Sequence, residues 1–358
     1  MDNPTFTPLN RRGNIAPGLS LYLDLIRFLA AVVVMVSHTW PLLAPGSTFK
    51  FPGHEAVVVF FVLSGYVIAH AALRPGMTLA VYVQHRVARI LPVAWLALLL
   101  TAVLVAAVPT LYEEPGLVAS TLANMVFMGQ SGWGWMEAPL NSPFWSLNYE
   151  VWYYVLFAIW VFVKRHRWLW LCAAMLLAGP KILMLMPIWL MGVALYYRTP
   201  TFGRGTALLI FITTVTLATA MCSLDVSEQW RAWIYEVMPP FWRAHYSSQV
   251  LYDTVLGVVV TSNFAAVASL SASLEKLRAI ERPIRYLATF TLSLYVFHLP
   301  LTELLLKVIN VNKPLSFYGV LAMSVFMLAQ LTERRTSWFR RHITRFRTVK
   351  PAAPVCVD

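Results

Sequence analysis

Apolar residues run in long stretches separated by short polar segments rich in arginine and lysine. Stretches of roughly 17–25 predominantly apolar residues are long enough to cross the hydrocarbon core of a bilayer as helices. The pattern predicts ten such helices, at about 20–43, 55–73, 90–108, 146–163, 167–180, 181–198, 206–223, 250–269, 287–307 and 315–331. The fifth is short, and 117–128 is a competing stretch that reads as a re-entrant or interfacial segment. No repeat of fixed period and no low-complexity tract is present.

The polar segments orient the helices. With the N-terminus inside, the cytoplasmic segments hold Arg11, Arg12, Arg74, Arg86, Arg89, Lys164, Arg165, Arg167, Arg198 and Arg204. They also hold Lys276, Arg278, Arg282, Arg285 and a tail with Arg334, Arg335, Arg340, Arg341, Arg345, Arg347 and Lys350. The outer segments hold only Lys50, Lys181, Arg231, Arg243, Lys307 and Lys313, and Arg27 lies inside the first helix. The positive-inside rule predicts this asymmetry for an even number of spans with both termini cytoplasmic. An odd number would place the basic tail outside.

Composition agrees. Of the 358 residues 59% are hydrophobic and 12% charged, against roughly 45–50% and 25% in soluble domains. This excludes a soluble enzyme, a disordered chain and a secreted disulfide scaffold. The net charge of +12 becomes an orientation signal and a contact for anionic lipid, and nucleic acid is not an expected partner. Cys172 and Cys222 lie in apolar stretches and Cys356 in the tail, with no metal-like spacing, so no metal site is expected. The expectation is an all-α, polytopic helical bundle, multi-pass in a cell membrane, the bacterial inner membrane in first place. A polar lead (1–19) runs straight into the first span as an uncleaved signal anchor. A transmembrane domain (20–331) and a basic cytoplasmic tail (332–358) follow.

Ionisable groups at membrane depth are expensive, about 2.5–3.5 kcal/mol each on insertion scales, which makes them functional candidates. The first helix carries Asp24, Arg27 and His38. Asp24 and Arg27, three apart, share a face and can simply neutralise each other. His38 lies eleven residues beyond Arg27, roughly on the same face and about 16 Å along the axis. It is either an interfacial cap or a chemical group. Ser64-Gly65 in the second helix allows close backbone approach, and a nucleophilic role for Ser64 lacks a local base. Arg86 and Arg89, three apart on an amphipathic stretch, either snorkel to lipid phosphate or clamp a phosphate or pyrophosphate. Past an outer loop with Glu113, Glu114, Glu137 and Trp133-Gly134-Trp135, Glu150 sits in the aromatic mouth of the fourth span, on the side of His38. That placement suits acid–base chemistry. His298 precedes Pro300 near mid-membrane, where it either satisfies the carbonyl that Pro300 frees or faces a pocket.

Five segments together resemble the acyltransferase-3 family of integral membrane acyltransferases, which O-acylate surface and secreted carbohydrates. They are Arg27 with His38; Phe60-Phe61-Val62-Leu63-Ser64-Gly65-Tyr66; Arg86-Val87-Ala88-Arg89-Ile90-Leu91-Pro92; Trp145-Ser146-Leu147-Asn148-Tyr149-Glu150; and Ser293-Leu294-Tyr295-Val296-Phe297-His298. They occur in the family's order and span residues 20 to about 331.

The resemblance implies a bundle of about ten helices, an acyl-CoA donor (usually acetyl-CoA) used as substrate with no permanently bound cofactor, and a carbohydrate hydroxyl as acceptor. It makes His38 the candidate catalytic base, supported by Arg27, with Glu150 a site carboxylate. Arg86 and Arg89 become candidates for the donor's phosphates, and Trp145, Ser146, Asn148 and His298 for the acceptor pocket. One departure stands out: family members often carry an acidic residue shortly before Phe60-Phe61, where this chain has Val58, and Glu55 is the nearest substitute. No esterase-like module follows the bundle, so transfer is expected to be completed by the bundle or by a separate protein. The competing reading is a secondary transporter or flippase for a lipid-linked sugar, with Asp24, Arg27, His38 and His298 as its path. A membrane scaffold leaves the buried charges without a reason. The favoured expectation is O-acetylation of an exported polysaccharide or its lipid-linked precursor.

Overall fold

The structure is a computed structural model and describes residues 15–112, 116–132, 136–238, 249–311 and 313–345. Arg11, Arg12, Glu113, Glu114, Pro115, Trp133-Gly134-Trp135, Arg243 and the tail beyond 345 lie outside the described residues. Everything regular among the described residues is helical. The helices are α1 (Pro17–Leu43), α2 (Gly53–Ala72), α3 (Leu79–Ala107), α4 (Leu117–Met125), α5 (Trp145–Phe162), α6 (Arg167–Ala178) and α7 (Pro180–Tyr197). They continue as α8 (Arg204–Ser223), α9 (Val226–Val237), α10 (Val250–Ser269), α11 (Glu281–Ala288), α12 (Thr291–Glu303), α13 (Pro314–Leu331) and α14 (Thr336–Arg345). Eight segments are long and apolar enough to cross a membrane: α1, α2, α3, α7, α8, α10, α12 with its π-helical extension to Val308, and α13 continued into α14. The protein is a polytopic membrane helical bundle.

The two remaining expected spans are α5, with 18 residues, and α6, with 12. Twelve residues rise only about 18 Å, short of a hydrocarbon core of about 30 Å. Helix α6 is therefore too short to span as expected, and the outer loop packs against its end, where Gly132 N–H donates to Ala178 O at 3.1 Å. Gly179 then ends α6 at φ +83°, where a Cβ would collide with Gly132 backbone, and Pro180 starts α7.

The competing stretch 117–128 is not a span. Its helix α4 has nine residues, a rise of about 13 Å, and Val126 and Phe127 turn the chain back at Phe127 φ +58°. Trp95 Nε1 donates to Met125 O at 2.9 Å and Trp152 Nε1 to Phe127 O at 3.1 Å, pinning the tip between α3 and α5. The return arm accepts from Ser120 Oγ at Glu137 O and from Asn124 Nδ2 at Met136 O, the latter at 2.9 Å. The result is a hairpin packed between α3 and α5.

Two spans differ from expectation in extent. The third runs 29 residues from Leu79, because the amphipathic stretch carrying Arg86 and Arg89 continues the apolar helix without a break. The ninth is split: α11 stops at Ala288 and α12 starts at Thr291. The N-terminus of α12 is capped from elsewhere in the chain, by Glu333 accepting from Ser293 N at 2.9 Å and Ser293 Oγ at 3.0 Å.

At the centre, α2 packs against α1, α5, α7 and α10. A Cβ at Gly65 would collide with Trp189 O, and one at Gly192 with Val62 O. The backbones of α2 and α7 therefore cross in direct contact, the small-residue packing that brings membrane helices close.

Candidate functional site

A cavity of about 90 Å³ opens among α1, α2, α3, α5 and α12. Arg27, Arg86 and Arg89 line it together with Ser64, Ser146, Glu150, Tyr154 and Tyr295, over walls that include Phe60 and Phe61. Five of the expected site residues thus converge from three helices. Three guanidiniums around one carboxylate leave the cavity positive, which favours an anionic ligand.

Each charge is held differently. Arg27 pairs with Asp24 at 3.6 Å, and Asp24 also accepts from Arg285 at 3.1 Å, which in turn holds Glu281 at 2.7 Å. Asp24 is thereby a neutralising partner, as the spacing suggests. Glu150 accepts from Ser64 Oγ at 2.6 Å and from Tyr154 OH. Trp189 Nε1 donates to Ser64 Oγ at 3.2 Å. Ser64 is therefore an orienting donor for Glu150, with no imidazole recorded against its hydroxyl. Arg86 lies over the rings of Tyr82 and Tyr154, 6.0 and 5.9 Å from their centroids, and its buried Nε has no hydrogen-bond partner.

His38 is not in the cavity wall. It stands in the other half of α1, and its ring lies 5.2 Å from that of His298, tilted by 44°. His38 Nδ1 is 2.8 Å from Val34 O, and a carbonyl only accepts, so Nδ1 carries the proton and the Nε2 lone pair is left open. His298 is fixed the same way, with Nδ1 2.8 Å from Tyr295 O. Its Nε2 is buried without a partner. Tyr295 joins the two groups: it lines the cavity, its ring is 6.3 Å from His298, and its hydroxyl meets Ser146 Oγ at 2.5 Å.

Of the expected acceptor residues, Ser146 lines the cavity and His298 pairs with His38, while Trp145 and Asn148 lie elsewhere. Asn148, fully buried, donates to Asn124 Oδ1 at 2.9 Å and ties the hairpin to α5. Trp145 packs in an aromatic cluster with Phe61 and Tyr149.

The comparisons follow from this geometry. The acyltransferase domain of the acyltransferase-3 family matches residues 20–334. The chain belongs to the acyltransferase-3 family. Among curated proteins it is 35% identical over 132 residues to acyltransferase MdmB of Streptomyces mycarofaciens, covering 34% of this chain and 33% of that protein. It is also 35% identical over 122 residues to the exopolysaccharide production protein ExoZ of Rhizobium meliloti (strain 1021), covering 32% of this chain and 36% of that protein. The chain thus matches about a third of the length of these relatives. No solved structure matches.

This acyltransferase-3 chain also holds a pair that sequence reasoning passed over. His54 Nε2 lies 2.7 Å from Asp253 Oδ1. Asp253 is fully buried, its Oδ2 has no partner, and His54 stacks on Trp145 at 6.3 Å. The available signal was Asp253 itself, a carboxylate inside a predicted span. Glu55, the expected substitute for the acid absent at Val58, accepts from Tyr252 OH at 3.0 Å instead.

Proposed function

We propose that the protein is a membrane O-acyltransferase that moves an acyl group, acetyl in first place, from acyl-CoA to a hydroxyl of an exported polysaccharide or its lipid-linked precursor. The observation that carries this reading is the fixed tautomer of His38, which leaves its Nε2 open, together with Tyr295, which joins the His38–His298 pair to the cavity lined by Arg27, Arg86 and Arg89. Family membership and the names of the two relatives, an acyltransferase and an exopolysaccharide production protein, support it.

The chemistry needs a base, an anion site and a route between them. Arg86 and Arg89 bind the donor's phosphates from the cytoplasmic side through forked, charge-assisted hydrogen bonds. His38 Nε2 takes the acceptor hydroxyl proton as the oxygen attacks the thioester carbonyl. The tetrahedral intermediate collapses with cleavage of the C–S bond, the ester forms, and the imidazolium returns its proton to the leaving thiolate. Glu150, held by Ser64 and Tyr154, offsets part of the arginines' charge.

The test is His38→Gln alongside His38→Ala, each expressed in a deletion strain, with ester content of the polysaccharide and membrane protein level measured together. A base is worth roughly 10²–10⁴ in rate, so both variants are expected to lose acylation while retaining CoA binding. Normal ester content in a well-expressed His38→Ala strain would overturn the assignment.

A further inference from the structure

Two side-chain pairs join α2 to α10 near the N-terminal ends of both helices, Glu55 with Tyr252 and His54 with Asp253. The first has the form of a tie between helices. The second is costlier than a tie requires. Asp253 is fully buried and its Oδ2 has no partner, although a buried carboxylate is expensive unless charge and hydrogen bonds compensate it. Its partner is not buried with it: the His54 side chain is 31% exposed. A carboxylate only accepts, so Nε2 of His54 carries the proton that faces Asp253 Oδ1 at 2.7 Å. Among the described residues Nδ1 has no hydrogen bond. A buried acid thus orients a part-exposed imidazole and leaves its other nitrogen open, the arrangement by which a carboxylate sets the direction of a working histidine.

The pair borders both parts of the site. His54 is three residues, about one turn, from Val57, which lines the cavity. Its ring stacks on Trp145 at 6.3 Å and 21°, and the next residue, Ser146, lines the cavity as well. Gly53 meets α1: a Cβ there would collide with Ser37 Oγ, and Ser37 Oγ is 3.4 Å from His38 Nδ1. His54 is therefore one residue from a contact with the turn of His38 and one turn from the cavity wall. Glu55 and Arg231 also lie in electrostatic reach of it, and Arg231 is paired with Glu228. Two acids and a paired cation suit a neutral ligand better than an anion. A hydroxyl both donates and accepts, so it pairs with Nδ1 whether or not the ring is protonated. We propose that His54 Nδ1 binds a hydroxyl of the carbohydrate acceptor, with Asp253 as the positioning residue behind it, so that the acceptor is held beside His38. The proposal rests on the carbohydrate acyltransferase reading above.

The test follows transfer of labelled acetyl from acetyl-CoA to polysaccharide isolated from a deletion strain. It uses the purified full chain in nanodiscs, which leave both faces accessible, and varies each substrate in turn. His54→Ala is expected to raise KM for the polysaccharide about three- to tenfold, the scale of one hydrogen bond, with kcat and KM for acetyl-CoA unchanged. His54→Asn keeps an acceptor where Nδ1 stands and is expected to restore part of the loss. Asp253→Asn is expected to raise the same KM by itself and to add nothing in the His54→Ala background, because residues that act as one unit are not additive. An unchanged polysaccharide KM in His54→Ala overturns the proposal and leaves the acyltransferase reading intact. Equal losses for both substrates assign the pair to holding α2 on α10, and a fall in kcat alone assigns it to proton transfer; each equally overturns the binding role. Failure of wild type to acetylate the polysaccharide removes the carbohydrate acyltransferase reading and this site together.

Discussion

His38 and His298 present two imidazoles whose Nδ1 atoms are both committed to carbonyls of their own helices, so their remaining nitrogens work as acceptors side by side. His298 has no partner for its buried Nε2, which on the proposed mechanism sets it beside the proton that His38 would take. His298→Ala is expected to slow acyl transfer at saturating donor while CoA affinity is unchanged, measured as kcat in reconstituted membranes. An unchanged kcat would return His298 to packing. Arg86→Ala is expected to weaken CoA binding roughly tenfold or more, the loss of about 1.5–3 kcal/mol for a charged hydrogen bond. Arg86→Lys should rescue poorly because an ammonium cannot fork; full rescue would mean that only net charge matters. Arg27, His38 and Glu150 stood out as ionisable groups in apolar runs, whereas Arg86 and Arg89 became site candidates only through the family resemblance. His54 escaped notice because its partner Asp253 is 199 residues away and only the packing of α2 on α10 brings them to 2.7 Å.

At the scale of elements, hydropathy places the middle of each span well and its ends poorly. Helix α3 begins eleven residues before its apolar run because hydrogen bonding, not hydrophobicity, decides where a helix starts, and Thr78 accepts from Val81 N–H at 3.3 Å there. The hairpin of α4 depends on contacts that no local pattern announces, above all Asn148 to Asn124 at 2.9 Å. Asn148→Leu leaves the buried Asn124 Oδ1 without this donor, a penalty of about 1–3 kcal/mol. The variant is expected to unfold at lower temperature in detergent, and an unshifted transition would show that the hairpin is held by other bonds. Gly65→Leu should be worse. Backbone of α7 occupies the space its side chain needs, and overpacking of this kind costs about 1–3 kcal/mol or more. Thermal unfolding of purified protein checks both.

For the molecule as a whole, the charge asymmetry sets an expected topology that the bundle makes physically consistent. Reporter fusions at residue 80 and after residue 335 are expected to report cytoplasm, and one near 235 the outside. An external report after 335 would invert the donor face, because α14 and the start of α3 lie together. The sequence by itself determined the class of protein, the approximate number and order of spans and the residues out of place in lipid. It could do so because burying a charge or spanning 30 Å of hydrocarbon is a local cost, visible one residue or one window at a time. Only the tertiary structure decided that 117–128 turns back, that α6 stops after twelve residues, and that Glu150 is held by Ser64 and Tyr154. It also decided that His38 stands with His298 outside the cavity that gathers the arginines, and that the basic tail reaches the same face. Those outcomes depend on which helices touch, and in lipid that choice is made by backbone approach and polar pairing between distant segments, which no window of sequence contains.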